Sequence, residues 1–157
     1  MPEGLILRPP TLADASALHQ ALWPDRPLAE SKGRVETIVM AEGRARLWGL
    51  VAEANGEIVG FGQLTRWGWR GEICNLIVRE NWRGKGIGTA LIRQLIEIAR
   101  QLGLREVEIG GAEANPRALA LYRRLGFEDE RRVLLDLGEG NEPVIYLLMR
   151  LNRVVAA

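Results

Sequence analysis

The stretch Asn81–Leu91 reads NWRGKGIGTAL, with Gly84, Gly86 and Gly88 spaced around Lys85 and Ile87, and a long amphipathic segment directly behind it. The first turn of a helix leaves backbone N–H groups without partners. The helix dipole adds partial positive charge there, and the two together make an anion site. Glycine has no Cβ, so a ligand can approach the backbone closely. Arg83 and Lys85 add donors and charge. The stretch suits a pyrophosphate, and by itself it equally suits a turn that holds nothing. Two nucleotide-binding readings fail on detail. A Walker loop needs Ser or Thr after Gly-Lys, and Lys85 is followed by Gly86. A dinucleotide fingerprint needs a third glycine where Thr89 stands.

Other reactive residue types are scarce. Cys74 is the only cysteine and His19 the only histidine. This leaves no intramolecular disulfide, no cysteine-based zinc site and no Ser-His-Asp arrangement, and no metal is expected. Cys74 lies mid-strand among apolar residues and reads as packing rather than as a nucleophile. His19 falls on the first expected helix in a surface or packing role.

The elements that must position these residues follow from periodicity. Leu5–Arg8 is a short strand stopped by Pro9-Pro10, and Thr11 caps a helix over LADASALHQALW that ends at Pro24–Pro27. A weaker helix runs from about Leu28 to Ala41. Asn55-Gly56 between two strand-like runs predicts a hairpin. Glu72–Val78 follows the turn Gly68–Gly71 as a third strand, apolar enough to be central and buried on both faces. Ile87, Leu91, Leu95, Ile98 and Leu102 then form a helical stripe that Gly103 ends. Arg105–Gly110 is a strand parallel to Glu72–Val78, because a crossover helix joins them. Glu106 and Glu108 alternate on one of its faces and read as solvated. Asn115 and Pro116 open a further helix, closed by Gly126, before two last strands around GEGNE. The order is β-α-α-β-β-β-α-β-α-β-β, an α/β fold with a mixed sheet and helices on its faces.

The chain has 157 residues, and no repeat or linker interrupts it, so residues 1–157 are expected to form one domain. It is 47% hydrophobic and 26% charged, which suits a folded globular domain. A net charge of +1 gives no global attraction to nucleic acid or membrane, and neither is an expected partner. The N-terminus shows no signal peptide and no run suits a membrane span, so a cytoplasmic location is expected.

Two motifs in order carry a resemblance. Arg83-Gly84-Lys85-Gly86-Ile87-Gly88 matches the [RQ]-x-x-G-x-[GA] motif of the GNAT superfamily of N-acetyltransferases, and Asn115, Tyr122 and Gly126-Phe127 match its downstream motif. The element order is similar to the family's over nearly the whole chain. The resemblance implies acetyl-CoA as donor, its pyrophosphate on the backbone of Arg83, Gly84, Lys85, Gly86, Ile87, Gly88 and Thr89. It implies a pantetheine arm along Leu76, Ile77 and Val78, in a V where that strand splays from the next, with a backbone N–H there for the thioester carbonyl. Asn115 would help position the cofactor.

Amine acylation needs a base for the ammonium, donors for the oxyanion and a proton for the leaving thiolate. The resemblance assigns the last task to Tyr122 and makes Glu72 the candidate base, as in the histone-acetylating branch; a solvated strand-start glutamate is the alternative. Gly110 stands where the branch acetylating ribosomal-protein N-termini carries a glutamate, a departure from that branch. The implied function is direct acetyl transfer to a primary amine of a small molecule or peptide. The rival is a non-catalytic acyl-CoA-binding or sensing module. On the acceptor side, Trp23 and Arg26 in WPDRPL are substrate candidates, opposite Glu139 and Glu142 of the last hairpin. The tryptophans of RWGWRG mark a surface for a partner or a homodimer.

Overall fold

The computed structural model describes residues 2–42 and 46–151. The ends of the expected 1–157 domain, residues 1 and 152–157, lie outside the described residues, as do residues 43–45. The observed elements are β1 (Ile6–Arg8), α1 (Ala15–Leu22), α2 (Leu28–Glu42), β2 (Leu47–Ala54), β3 (Glu57–Trp67), β4 (Arg70–Val78), α3 (Ile87–Gln101), β5 (Glu106–Ala112), α4 (Pro116–Arg124), β6 (Glu128–Asp136) and β7 (Asn141–Arg150). The order is the one read from the sequence. Short 3-10 turns at Leu12–Asp14 and Glu80–Trp82 lead into α1 and towards α3.

The strands form one seven-stranded mixed sheet in the order β1-β2-β3-β4-β5-β7-β6. Among the described residues only β4 and β5 pair in parallel. A parallel pair requires a crossover, and α3 supplies it. The α3 stripe delivers Ile87, Leu91 and Leu95 to the core, with Ile92, Ile96 and Ala99 beside them. Together with Leu119, Tyr122 and Phe127 from the α4 region they bury one sheet face. The opposite face has a smaller core, where Leu18 and Leu22 of α1 and Val35 and Ile38 of α2 pack on Val51, Ile58 and Phe61. Among the described residues no helix is long and apolar enough to cross a membrane.

Two expectations need correction. β4 is central, but it is not buried on both faces: Gly71 and Ile73 are buried, Glu72 and Cys74 are half-buried and Asn75 is exposed. Glu106 and Glu108 are not solvated either. Both bond to Arg70, and the Glu108 side chain is only 9% exposed. Arg70 also reaches Glu130 at 3.0 Å, and Arg131 bonds Glu108 at 2.8 Å and Glu130 at 2.7 Å. Period-2 alternation sets which face a residue occupies. It does not reveal that cations from β4 and β6 will cover the carboxylates there.

Candidate functional site

The β4 strand changes character after Ile73. Its parallel pairing with β5 runs from Arg70↔Glu106 to Ile73↔Ile109 and stops there. Against β3, Gln63 pairs with Cys74 and Phe61 with Ile77, so two β4 residues, Asn75 and Leu76, oppose Gly62 alone. Asn75 absorbs this bulge at φ +52, a left-handed conformation that asparagine tolerates better than most residues. Its side chain donates to Gln63 Oε1 at 3.1 Å. A bulge bends and twists the strand that carries it. Gly110, Gly111 and Ala112 meanwhile pair onward with β7. The sheet therefore opens between residues 74–78 and 110–112.

A cleft of about 680 Å³ lies at this opening. Leu76, Ile77 and Val78 line one side, Arg83, Gly84, Gly86, Ile87, Gly88 and Thr89 its mouth, and Asn115 and Tyr122 the other side. Gly84 and Gly86 have φ of +75 and +84, and Gly86 stands immediately before α3. These two glycines turn the chain so that the first α3 amides face the cleft without a Cβ in the way. Arg83 Nε donates to the Val78 carbonyl at 3.0 Å, tying the glycine turn to the end of β4. Asn115 caps α4, its side chain accepting from the Ala118 N–H at 3.2 Å, and Pro116 follows in the first turn.

Lys85 departs from expectation. It is not among the residues that line the cleft, and its Nζ lies 5.9 Å from the Trp82 ring centroid. Charge at the cleft comes instead from Arg83, Arg117 and Arg124. A terminal nitrogen of Arg117 stands 3.9 Å from where a Cβ on Gly84 would sit. Arg117 and Arg124 were not singled out from the sequence. Their spacing of seven on α4 places both on one helix face, which is the signal that identifies them.

Tyr122 is 8% exposed and lines the cleft. Burial pushes its phenol above the ordinary value near 10. The hydroxyl is therefore firmly protonated at neutral pH, as a proton donor must be.

Glu72 and Cys74 lie on the opposite sheet face. Glu72 Oε1 accepts from the Trp67 indole N–H at 2.9 Å, a partner the sequence reading missed although Trp67 and Glu72 flank the same tight turn. Cys74 Sγ is 3.6 Å from Thr65 Oγ1. Burial chiefly, and the Glu72 carboxylate after it, raise its thiol pKa, so the thiolate is disfavoured. Gly110 is filled from above: a Cβ there would lie 3.0 Å from Tyr146 Cε1, and the Arg131 guanidinium stacks on that ring at 4.3 Å.

The two acceptor-side candidates part company. Trp23 packs edge-on against Phe61 with ring centroids 5.5 Å apart, at the border of this polar face. Arg26 is exposed and forks onto Glu30 at 2.8 and 3.0 Å, one turn along in sequence. His19 Nε2 meets the Arg26 carbonyl at 2.8 Å, so the lone histidine holds the loop after α1.

The model of the Acetyltransferase (GNAT) family matches residues 15–127. The chain is 37% identical over 84 residues to the L-methionine sulfoximine/L-methionine sulfone acetyltransferase of Pseudomonas aeruginosa, covering 50% of this chain and 49% of that protein. It thus spans about half the length of that relative. It is 32% identical over 142 residues to the aminoglycoside N(6')-acetyltransferase type 1 of Stenotrophomonas maltophilia, covering 82% of this chain and 89% of the relative. The fold is shared with YncA of Salmonella typhimurium, solved with its cofactor acetyl-CoA, at a TM-score of 0.80, 22% identity and 98% coverage of both chains.

Proposed function

The chain belongs to the GNAT acetyltransferase family, and from that premise we propose that it moves an acetyl group from acetyl-CoA directly to a primary amine of a small molecule or peptide, with residues 1–157 as the working domain. The observation that carries this reading is the joining of an anion-binding helix start and a buried, protonated Tyr122 in one cleft at the gap between β4 and β5. Acetyl-CoA supplies the activated thioester.

The chain's own groups meet the remaining requirements. The amides after Gly84 and Gly86, with Arg83, Arg117 and Arg124, hold the phosphates. The stretch Leu76–Val78 borders β5 without strand pairing, so its peptide groups are available to the pantetheine arm and to charge developing on the carbonyl oxygen. Tyr122 gives its phenolic proton to the departing sulfur. Glu72, oriented by Trp67, receives the proton of the incoming ammonium from the opposite face, through water. Trp23 borders the acceptor path.

Acetyl-CoA is a cytoplasmic metabolite, and the proposed site of action is the cytoplasm. The half-exposed Trp67 and Trp69 support a self-association face as part of the same proposal; a single monomeric species in sedimentation across concentrations would remove it.

The test is CoA release from acetyl-CoA over a panel of amines, polyamines, aminoglycosides, amino acids and peptide N-termini, beside a thermal shift with acetyl-CoA. Turnover of at least one acceptor class and a raised Tm support the reading. A raised Tm without turnover would make the chain a binding module. No shift at millimolar acetyl-CoA would remove the cofactor itself.

A further inference from the structure

The polar sheet face that carries Glu72 is bordered on its α2 side by an arginine that forms no ion pair among the described residues. Arg34 lies with its guanidinium carbon 4.6 Å from the centroid of the Trp23 ring. Trp23 in turn packs on Phe61. Phe61 precedes Gln63 and Thr65 on the same face of β3, and those two pair in register with Cys74 and Glu72. The guanidinium and the Glu72 carboxylate both act on the Cys74 thiol, Glu72 raising and Arg34 lowering its pKa. Arg34 and Glu72 thus flank one stretch of floor, built by Gln63, Thr65 and Cys74.

The Arg34 Nε–H is buried and has no hydrogen-bond partner among the described residues. Such a group is unusual, and leaving it unpaired is costly. Arginine cannot shed its charge to relieve that cost. The arginines that share this face, Arg70 and Arg131, are by contrast each engaged by two or more carboxylates. Trp23 holds the Arg34 plane by stacking, which pre-orients a fork that fits a carboxylate in a bidentate manner. The floor therefore offers an anion site at Arg34 and a cation site at Glu72.

We propose that the acceptor is an amino-carboxylic acid, its carboxylate held by Arg34 and its amine directed to Glu72 and the gap between β4 and β5. This rests on the transfer reading above and deepens it. A polycationic acceptor would meet the positive charge of Arg34 at the same place and is disfavoured.

The experiment uses matched acceptors that differ only by the carboxylate: L-phenylalanine and 2-phenylethylamine, L-lysine and cadaverine, 4-aminobutyrate and propylamine. The full chain and its Arg34→Gln and Arg34→Lys variants are assayed by CoA release, and the acetyl-CoA thermal shift verifies that each is folded. The carboxylate-bearing member of at least one pair should be preferred. Arg34→Gln should raise its KM about 10- to 100-fold, the equivalent of a lost charged hydrogen bond. The same change should leave the decarboxylated partner unaffected or improved, and Arg34→Lys should recover part of the loss. Equal kcat/KM within every pair, or a loss in Arg34→Gln that falls on both members alike, would overturn the carboxylate assignment while leaving acetyl transfer standing. No turnover of any member by the unaltered chain, with the acetyl-CoA shift intact, would overturn the carboxylate assignment, and turnover elsewhere on the broader amine panel would leave acetyl transfer standing.

Discussion

Gly111 on β5 and Tyr122 on α4 are in contact range across the core: a Cβ on Gly111 would lie 3.2 Å from Tyr122 Cε2 and 2.7 Å from Leu119 Cδ2. A bare Cα is what allows α4 to seat against the sheet and bring its phenol to the cleft. Gly111→Ala should cost about 1–3 kcal/mol through overpacking. It should also lower kcat more than it raises the KM for acetyl-CoA, because the shifted helix carries Tyr122 with it. Thermal melts and steady-state kinetics measure both, and an unchanged kcat would show that the contact does not position the phenol.

Tyr122→Phe should reduce kcat by about 10²- to 10⁴-fold, the range for a general acid, with acetyl-CoA affinity nearly retained. Burial raises the phenol pKa, so the unaltered enzyme should lose its acid only above about pH 10. The sign for stability is the same. The native state binds the proton more tightly than the unfolded chain, so stability is full below about pH 10 and falls as pH rises through the native value. The phenylalanine variant should lack that alkaline loss in pH-dependent melts.

Glu72→Gln should cut kcat/KM by about 10²-fold. Trp67→Phe deletes the indole N–H that Glu72 Oε1 accepts at 2.9 Å. It should lower kcat/KM several-fold without altering the acetyl-CoA thermal shift. A Glu72→Gln variant with the parent's kcat/KM would clear Glu72 of the role of base.

Cys74 should be dispensable. Its thiol pKa is raised, first by burial, so neutral pH leaves little thiolate. Alkylation by iodoacetamide should be slow at pH 7 and quicken only well above the ordinary thiol range. Cys74→Ala should retain most of the turnover; loss of all activity would point to a covalent route.

Arg70 joins Glu106, Glu108 and Glu130 across three strands. Arg70→Met leaves those carboxylates facing one another with only Arg131 between Glu108 and Glu130. It should cost about 2–4 kcal/mol, as removal of one partner from a largely buried set does. Adding Glu108→Gln should restore part of that loss, a non-additivity that denaturant titration of the four variants would reveal.

Much of this chain could be read along the sequence, because the signals are local. The helical stripe from Ile87, the Asn55-Gly56 hairpin, the Asn115-Pro116 helix start and the glycines at 84, 86 and 88 each depend on residues a few positions apart. The element order and the donor-side cleft followed from these, along with the resemblance that Tyr122 and Asn115 carry. The tertiary structure decided what local signals leave open. Arg70 bonds partners 36, 38 and 60 residues away. Trp23, just past α1, and Arg34 of α2 meet above Phe61 of β3. Lys85, adjacent to the cradle glycines, turns instead to Trp82. Periodicity assigns a side chain to a face, but which charged partner arrives from across the sheet depends on strand order, register and the β4 bulge. The proposed acceptor floor is built from those long-range meetings, and apart from Trp23 it became visible only in the folded chain.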